Sequence, residues 1–170
     1  FASVSDKVIS HLFNTLLIIH VIAASVAVMI DYRFVFSGAK QTAQFLRSNH
    51  LDSAQIMGDV SYATAALTAY LPHKPFFYPD AQRYGTFIKW DDQRNQSVNL
   101  SSLLRDSQRL AAPNNKVVLI LNQPIEDYPL GNHVGNPHTY FEKIFESDRT
   151  ILWDEHFYVY LYLPVRDQQK

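Results

Sequence analysis

Asp59, the Asp91-Asp92 pair and Asn122 are the side chains through which this chain could hold a ligand. Each lies at the end of a run that reads as a β-strand: residues 54–58 (AQIMG), 84–90 (YGTFIKW) and 116–122 (KVVLILN). In an open parallel sheet, ligands bind beyond the carboxyl ends of the strands. If these strands are neighbours, the four side chains converge on one crevice. Carboxylates and a carboxamide there would accept hydrogen bonds from sugar hydroxyls, or coordinate a divalent cation. The plainer reading is that Asp and Asn terminate strands by satisfying local backbone donors. Both readings stand at this level.

The other chemistry-bearing groups carry less. Asp154-Glu155-His156 sets an acid beside a metal-ligating side chain. Adjacent residues on a strand point to opposite faces, so the trio reads as a hairpin turn. His133 and His138 fall in a Gly/Pro-rich loop with no helix to fix their spacing, and zinc needs three or four ligands. Tyr78, Tyr84, Trp90 and Trp153 have rings suited to sugar stacking or a membrane surface, with core packing as the alternative. No Walker loop, GxGxxG, HExxH or GxSxG is present, so no complete catalytic site is legible. The chain has no cysteine, which excludes a disulfide framework, thiolate zinc and a cysteine nucleophile. Its net charge is −1 and its basic residues are scattered, which argues against nucleic acid as a partner. Asn95-Gln96-Ser97 and Asn99-Leu100-Ser101 match the N-glycosylation pattern, which matters only in a eukaryotic secretory protein.

The elements that must position these residues fall into two regions, 1–33 and 34–170. Residues 8–30 contain no charged side chain. As a helix they extend roughly 35 Å, enough for a hydrocarbon core of about 30 Å. Ser10, His11, Asn14, Thr15, His20 and Ser25 interrupt the run. His11 and Asn14 share a face, which suits a helix packed among neighbours in a bundle. The segment is therefore expected to be the last span of a larger membrane protein, with upstream spans as its partners. The opening Phe1 fits a fragment or a processed product. A signal peptide and a buried helix of a soluble fold are the alternatives. Lys7 before the span and Arg33, Lys40 and Arg47 after it favour a cytoplasmic tail.

Beyond residue 33 the pattern is that of an α/β domain. Ser37 reads as an N-cap for a helix over 38–49, and 61–71 is helical until Pro72 stops it. Residues 74–79 form an extended aromatic piece, and 100–111 an amphipathic helix. Residues 116–122 are the clearest central strand, and 123–138 an irregular loop. A short helix is expected over 140–146, then strands at 150–153 and 157–163 closing a terminal hairpin. The order implies a small, partly parallel sheet flanked by helices, with a C-terminal β-hairpin and one transmembrane helix in front.

The span, together with Phe36-Ser37-Gly38-Ala39-Lys40, "AQFLRSN", "IMGD", "FFYP", "GTFIKWD" and "ILWDEHFYVYLY", resembles the C-terminal region of bacterial polytopic membrane proteins. These are the dolichyl-phosphate-mannose-protein mannosyltransferase-like group, membrane glycosyltransferases of the GT-C arrangement. The likeness covers nearly the whole chain. It implies a lipid-phosphate-linked sugar donor, an acceptor, and a C-terminal domain outside the cytoplasm, against the charge signal. The family's catalytic carboxylate lies in an early loop between the first spans, so no catalytic residue transfers here. This fragment would need no cofactor, and any divalent cation would belong to the full-length protein. A membrane-anchored binding or sensing module is the competing expectation, and a soluble hydrolase-like enzyme a third.

Overall fold

The computed structural model describes residues 2–88, 98–111, 115–131 and 136–164, without the side chains of 2–6 and 31. It divides into two compact units, Phe1–Phe36 and Ser37–Lys170.

The first unit is helix α1, Ala2–Arg33. Its stretch Lys7–Ile30 is 24 residues long and apolar enough to cross a membrane. At 1.5 Å per residue that is about 36 Å, against about 30 Å of hydrocarbon. Every side chain of the stretch is exposed. A core helix would bury one face, and this one buries none. The polar interruptions are partly satisfied within the helix. Thr15 Oγ1 and Ser25 Oγ donate to the carbonyls of His11 and Val21, each at 2.8 Å. His20 Nδ1 lies 2.8 Å from the Leu16 carbonyl. Such back-bonding lowers the cost of carrying these groups into an apolar medium.

The second unit begins with α2 (Ala39–Ser48), then β1 (Gln55–Gly58), α3 (Ser61–Thr64, continued by a 3₁₀ turn, Ala65–Ala69) and β2 (Phe76–Tyr78). It continues with β3 (Arg83–Gly85), α4 (Leu100–Leu110), β4 (Val117–Leu121), β5 (Phe141–Glu146) and β6 (Tyr158–Tyr162). The strands form one sheet in the order β3-β2-β1-β4-β6-β5. β2, β1 and β4 are mutually parallel, while β3, β6 and β5 each run antiparallel to the neighbour they pair with. This is the α/β class expected, with its mixed sheet.

Period-two alternation places the core on both faces of the sheet. Ile56, Phe76, Val118, Ile120 and Val159 pack with Ala43 and Leu46 of α2 and with Leu67. Met57, Phe77, Leu119, Leu121 and Tyr160 pack with Leu100 and Leu103 of α4. Helix α4 starts where the sequence provides a reciprocal cap: Ser102 N–H donates to Asn99 Oδ1 at 3.0 Å, and Asn99 N–H to Ser102 Oγ at 3.1 Å. That occupies the Asn99 side chain, one of the two glycosylation-pattern asparagines; Asn95 lies outside the described residues. At α2, Ser37 Oγ accepts from Ala39 N–H at 3.1 Å, while the N-cap position itself is Gly38.

Three local expectations fail. Residues 141–146 are strand β5, not a short helix. A helix of one or two turns has little cooperative support, whereas β6 offers a full ladder of backbone partners. β5 is an edge strand, and Glu142, Lys143 and Glu146 face solvent along it. A bulge between Lys143 and Phe145 lets Ile144 and Phe145 both reach the α2 side of the core, where Phe145 stacks on Phe45 at 4.4 Å. Residues 150–153 are not a strand: the terminal hairpin is β5–β6, joined by a loop whose turn is the 3₁₀ segment Trp153–Glu155. The strand expected over 84–90 is the short antiparallel Arg83–Gly85; residues 89 and 90 lie outside the described residues.

Candidate functional site at the carboxyl end of the parallel strands

Asp59 directly follows β1, the strand between β2 and β4. Its backbone N–H donates to the Ile120 carbonyl at 3.0 Å, continuing the parallel ladder by one residue. The carboxyl group is therefore drawn into the protein, only 4% exposed. Tyr128, from the loop after β4, donates its hydroxyl to Asp59 Oδ2 at 2.9 Å. Burial pushes the Asp59 carboxyl up to about 6; the Tyr128 hydrogen bond pulls it down, and the charge of Asp80 adds to the rise. Burial and the Asp59 charge in turn raise the Tyr128 phenol, which stays a donor.

Asp80 follows β2 closely and accepts from Ser61 Oγ at 2.8 Å, so the ends of the two adjacent strands are tied by a hydroxyl–carboxylate bond. Asn122 follows β4 at the same end of the sheet. Its Oδ1 is occluded and accepts no hydrogen bond among the described residues. Of the four sequence candidates, Asp59 and Asn122 thus stand at the ends of neighbouring parallel strands. Asp91 and Asp92 lie outside the described residues. The strand Arg83–Gly85 that precedes them runs antiparallel to β2.

The loop joining β5 to β6 completes this end, because Tyr158 at the start of β6 pairs with Leu121 at the end of β4. Between this loop and α3, a cleft of about 160 Å³ is lined by Tyr62, Ala63, Leu152, Trp153, Asp154 and Glu155. Asp154 Oδ1 is occluded there and accepts no hydrogen bond among the described residues. Burial, and then the Asp154 charge, raise the Tyr62 phenol. Asp154, Glu155 and His156 do not act as one group. His156 turns away, with Nε2 3.2 Å from Glu146 and Nδ1 3.2 Å from the Asp148 carbonyl. His138 pairs with Glu126 at 2.9 Å, and His133 lies outside the described residues. No three His, Asp or Glu side chains gather into a metal-binding group among the described residues.

The sequence pattern misses Tyr128, Ser61 and Asp80. Ser61 and Asp80 carried a usable signal, since each sits within three residues of a strand end. Tyr128 carried little, because its partner is 69 residues away. What the arrangement offers chemically is hydrogen-bond acceptance: two occluded acceptor oxygens and a buried, readily protonated acid at one end of the sheet. No family model, no curated protein and no solved structure matches this chain.

Proposed function

We propose that this chain is a membrane-anchored accessory domain of a glycosyltransferase that uses a lipid-phosphate-linked sugar donor. In this reading the domain binds the sugar portion of donor or acceptor and does not itself carry out transfer. The resemblance described above supplies the reaction class. The observation that carries the binding role is the end of the sheet at Asp59, where Asn122 and Asp154 each hold an acceptor oxygen that meets no donor among the described residues. An occluded acceptor left unbonded costs about 1–3 kcal/mol, which a ligand hydroxyl can offset if the groups covering it move aside to admit the ligand. Sugars present many such hydroxyls. The domain is assigned to the extracytoplasmic side, following the family.

The test uses the full chain in lipid nanodiscs, titrated with a polyprenyl-phosphate hexose. Binding is expected, weakened about tenfold or more in Asn122→Ala and in Asp154→Ala by loss of one hydrogen bond to the ligand each. Sugar transfer by this chain alone would refute the accessory role, and no binding would refute the sugar role. A second reading, a membrane-anchored sensing module, is favoured by the buried acid at Asp59. It requires a ligand whose affinity follows Asp59 protonation and needs no other protein.

A further inference from the structure

The loop between β5 and β6 exposes three consecutive apolar residues: Ile151 at 44%, Leu152 at 36% and Trp153 at 77%. The loop holding them is ordered by its own bonds. Thr150 Oγ1 donates to the Leu152 carbonyl at 2.5 Å, and Glu155 N–H donates to the same carbonyl at 2.9 Å. An exposed tryptophan on a braced loop serves no core, and a contiguous exposed apolar segment marks a surface that meets something.

The place of this segment in the fold indicates what it meets. Helix α2 precedes β1, and its first residues lie against the same loop. Gly38 N–H donates to the Glu155 carbonyl at 2.9 Å, and a Cβ on Gly38 would come within 2.7 Å of that carbonyl oxygen. The chain therefore enters the α/β unit beside Leu152, Trp153 and Glu155. Only the residues between Arg33, which ends α1, and Gly38 separate that point from the apolar helix. Fully extended, the five Cα-to-Cα steps from Arg33 to Gly38 reach at most about 17 Å. The connection between the two units is thus short, whatever their arrangement.

We propose that Ile151, Leu152 and Trp153 seat in the interfacial layer of the bilayer that α1 spans. Tryptophan is enriched at that depth because its ring is apolar and its indole N–H is a donor. The loop's charges, Asp148, Asp154 and Glu155 against Arg149, are net acidic, so attraction to anionic lipid does not drive the contact. Apolar insertion into a neutral lipid surface does. The consequence is that the end of the sheet bearing Asp59, Asn122 and Asp154 is held at the lipid surface, where a lipid-linked ligand would be presented. The proposal rests on α1 being a span, and the test separates the two.

The full chain with Trp90→Phe, leaving Trp153 as its one tryptophan, is reconstituted in phosphatidylcholine vesicles. Resistance to alkaline extraction reports whether α1 is integrated. Trp153 emission is expected to be blue-shifted, to lose most of its intensity with lipids brominated near the headgroup, and to resist aqueous iodide. Replacing part of the neutral lipid by anionic lipid should not deepen the shift. Integration with Trp153 open to iodide overturns the docking and leaves the span intact. A blue shift without quenching by brominated lipid also overturns it, since another part of the protein then covers the ring. Extraction at alkaline pH overturns the span and the docking together.

Discussion

Replacing Asp59 by Asn tests whether a buried ionisable acid sits at the centre of this site. The carboxyl titrates at about 6 in the folded unit, against 3.8 for an ordinary aspartate, chiefly because burial disfavours its charge. Between those pH values the folded state binds more protons than the unfolded state, so stability falls as pH rises through the window. A shift of roughly two units corresponds to about 3 kcal/mol lost by pH 7 relative to pH below 4. Asparagine keeps an acceptor for the Tyr128 hydroxyl and carries no charge. Asp59→Asn should therefore be more stable than the parent at pH 7 by up to about 3 kcal/mol, or on the order of 10 °C in Tm. Near pH 4 the two should converge. The assay is thermal unfolding of the full chain in nanodiscs, followed by near-ultraviolet circular dichroism of its tyrosines and tryptophans from pH 4 to 8. Parallel pH profiles, or a variant less stable at pH 7, would show that the carboxylate is not penalised by burial. A stabilising loss of this kind is what a group retained for binding rather than for folding produces.

Tyr128→Phe removes the donor to Asp59 while keeping the ring. It should cost about 1–3 kcal/mol at pH 7 by urea unfolding, and less at pH 4, where the acid no longer carries an unpaired charge. Gly38→Ala places a methyl 2.5 Å from Ser147 Oγ and 2.7 Å from the Glu155 carbonyl. It should cost about 1–3 kcal/mol by urea unfolding, and Ser147→Ala should not restore the loss, because the obstructing carbonyl is backbone.

Much of the fold was legible because it depends on local pattern. Residues 8–30 are uncharged over a bilayer's thickness, and the structure gives one exposed apolar helix there. The apolar run ending at Leu121 can only be a strand covered on both faces, and all its side chains from Val117 to Leu121 are buried. The amphipathic pattern over 100–111 gave α4, with Leu100 and Leu103 on its buried face. Strand ends at Asp59 and Asn122 were equally readable, since each lies next to an apolar run.

Strand partnership was not legible, because hydrogen bonds between strands join residues far apart and leave little trace in either segment. Phe141–Glu146 has the composition of a short exposed helix, and becomes a strand only because β6 presents it with an open ladder. The direction of β3 likewise depends on its pairing with β2. The character of Asp59 is a tertiary property in the same sense. The sequence fixes an aspartate after a strand; the surrounding sheet removes it from water and brings Tyr128 to it across 69 residues. Composition alone dictated which segments are apolar and where β1 and β4 stop. Burial and long-range pairing decided which polar group pays for its place, because both depend on what the rest of the chain packs around it.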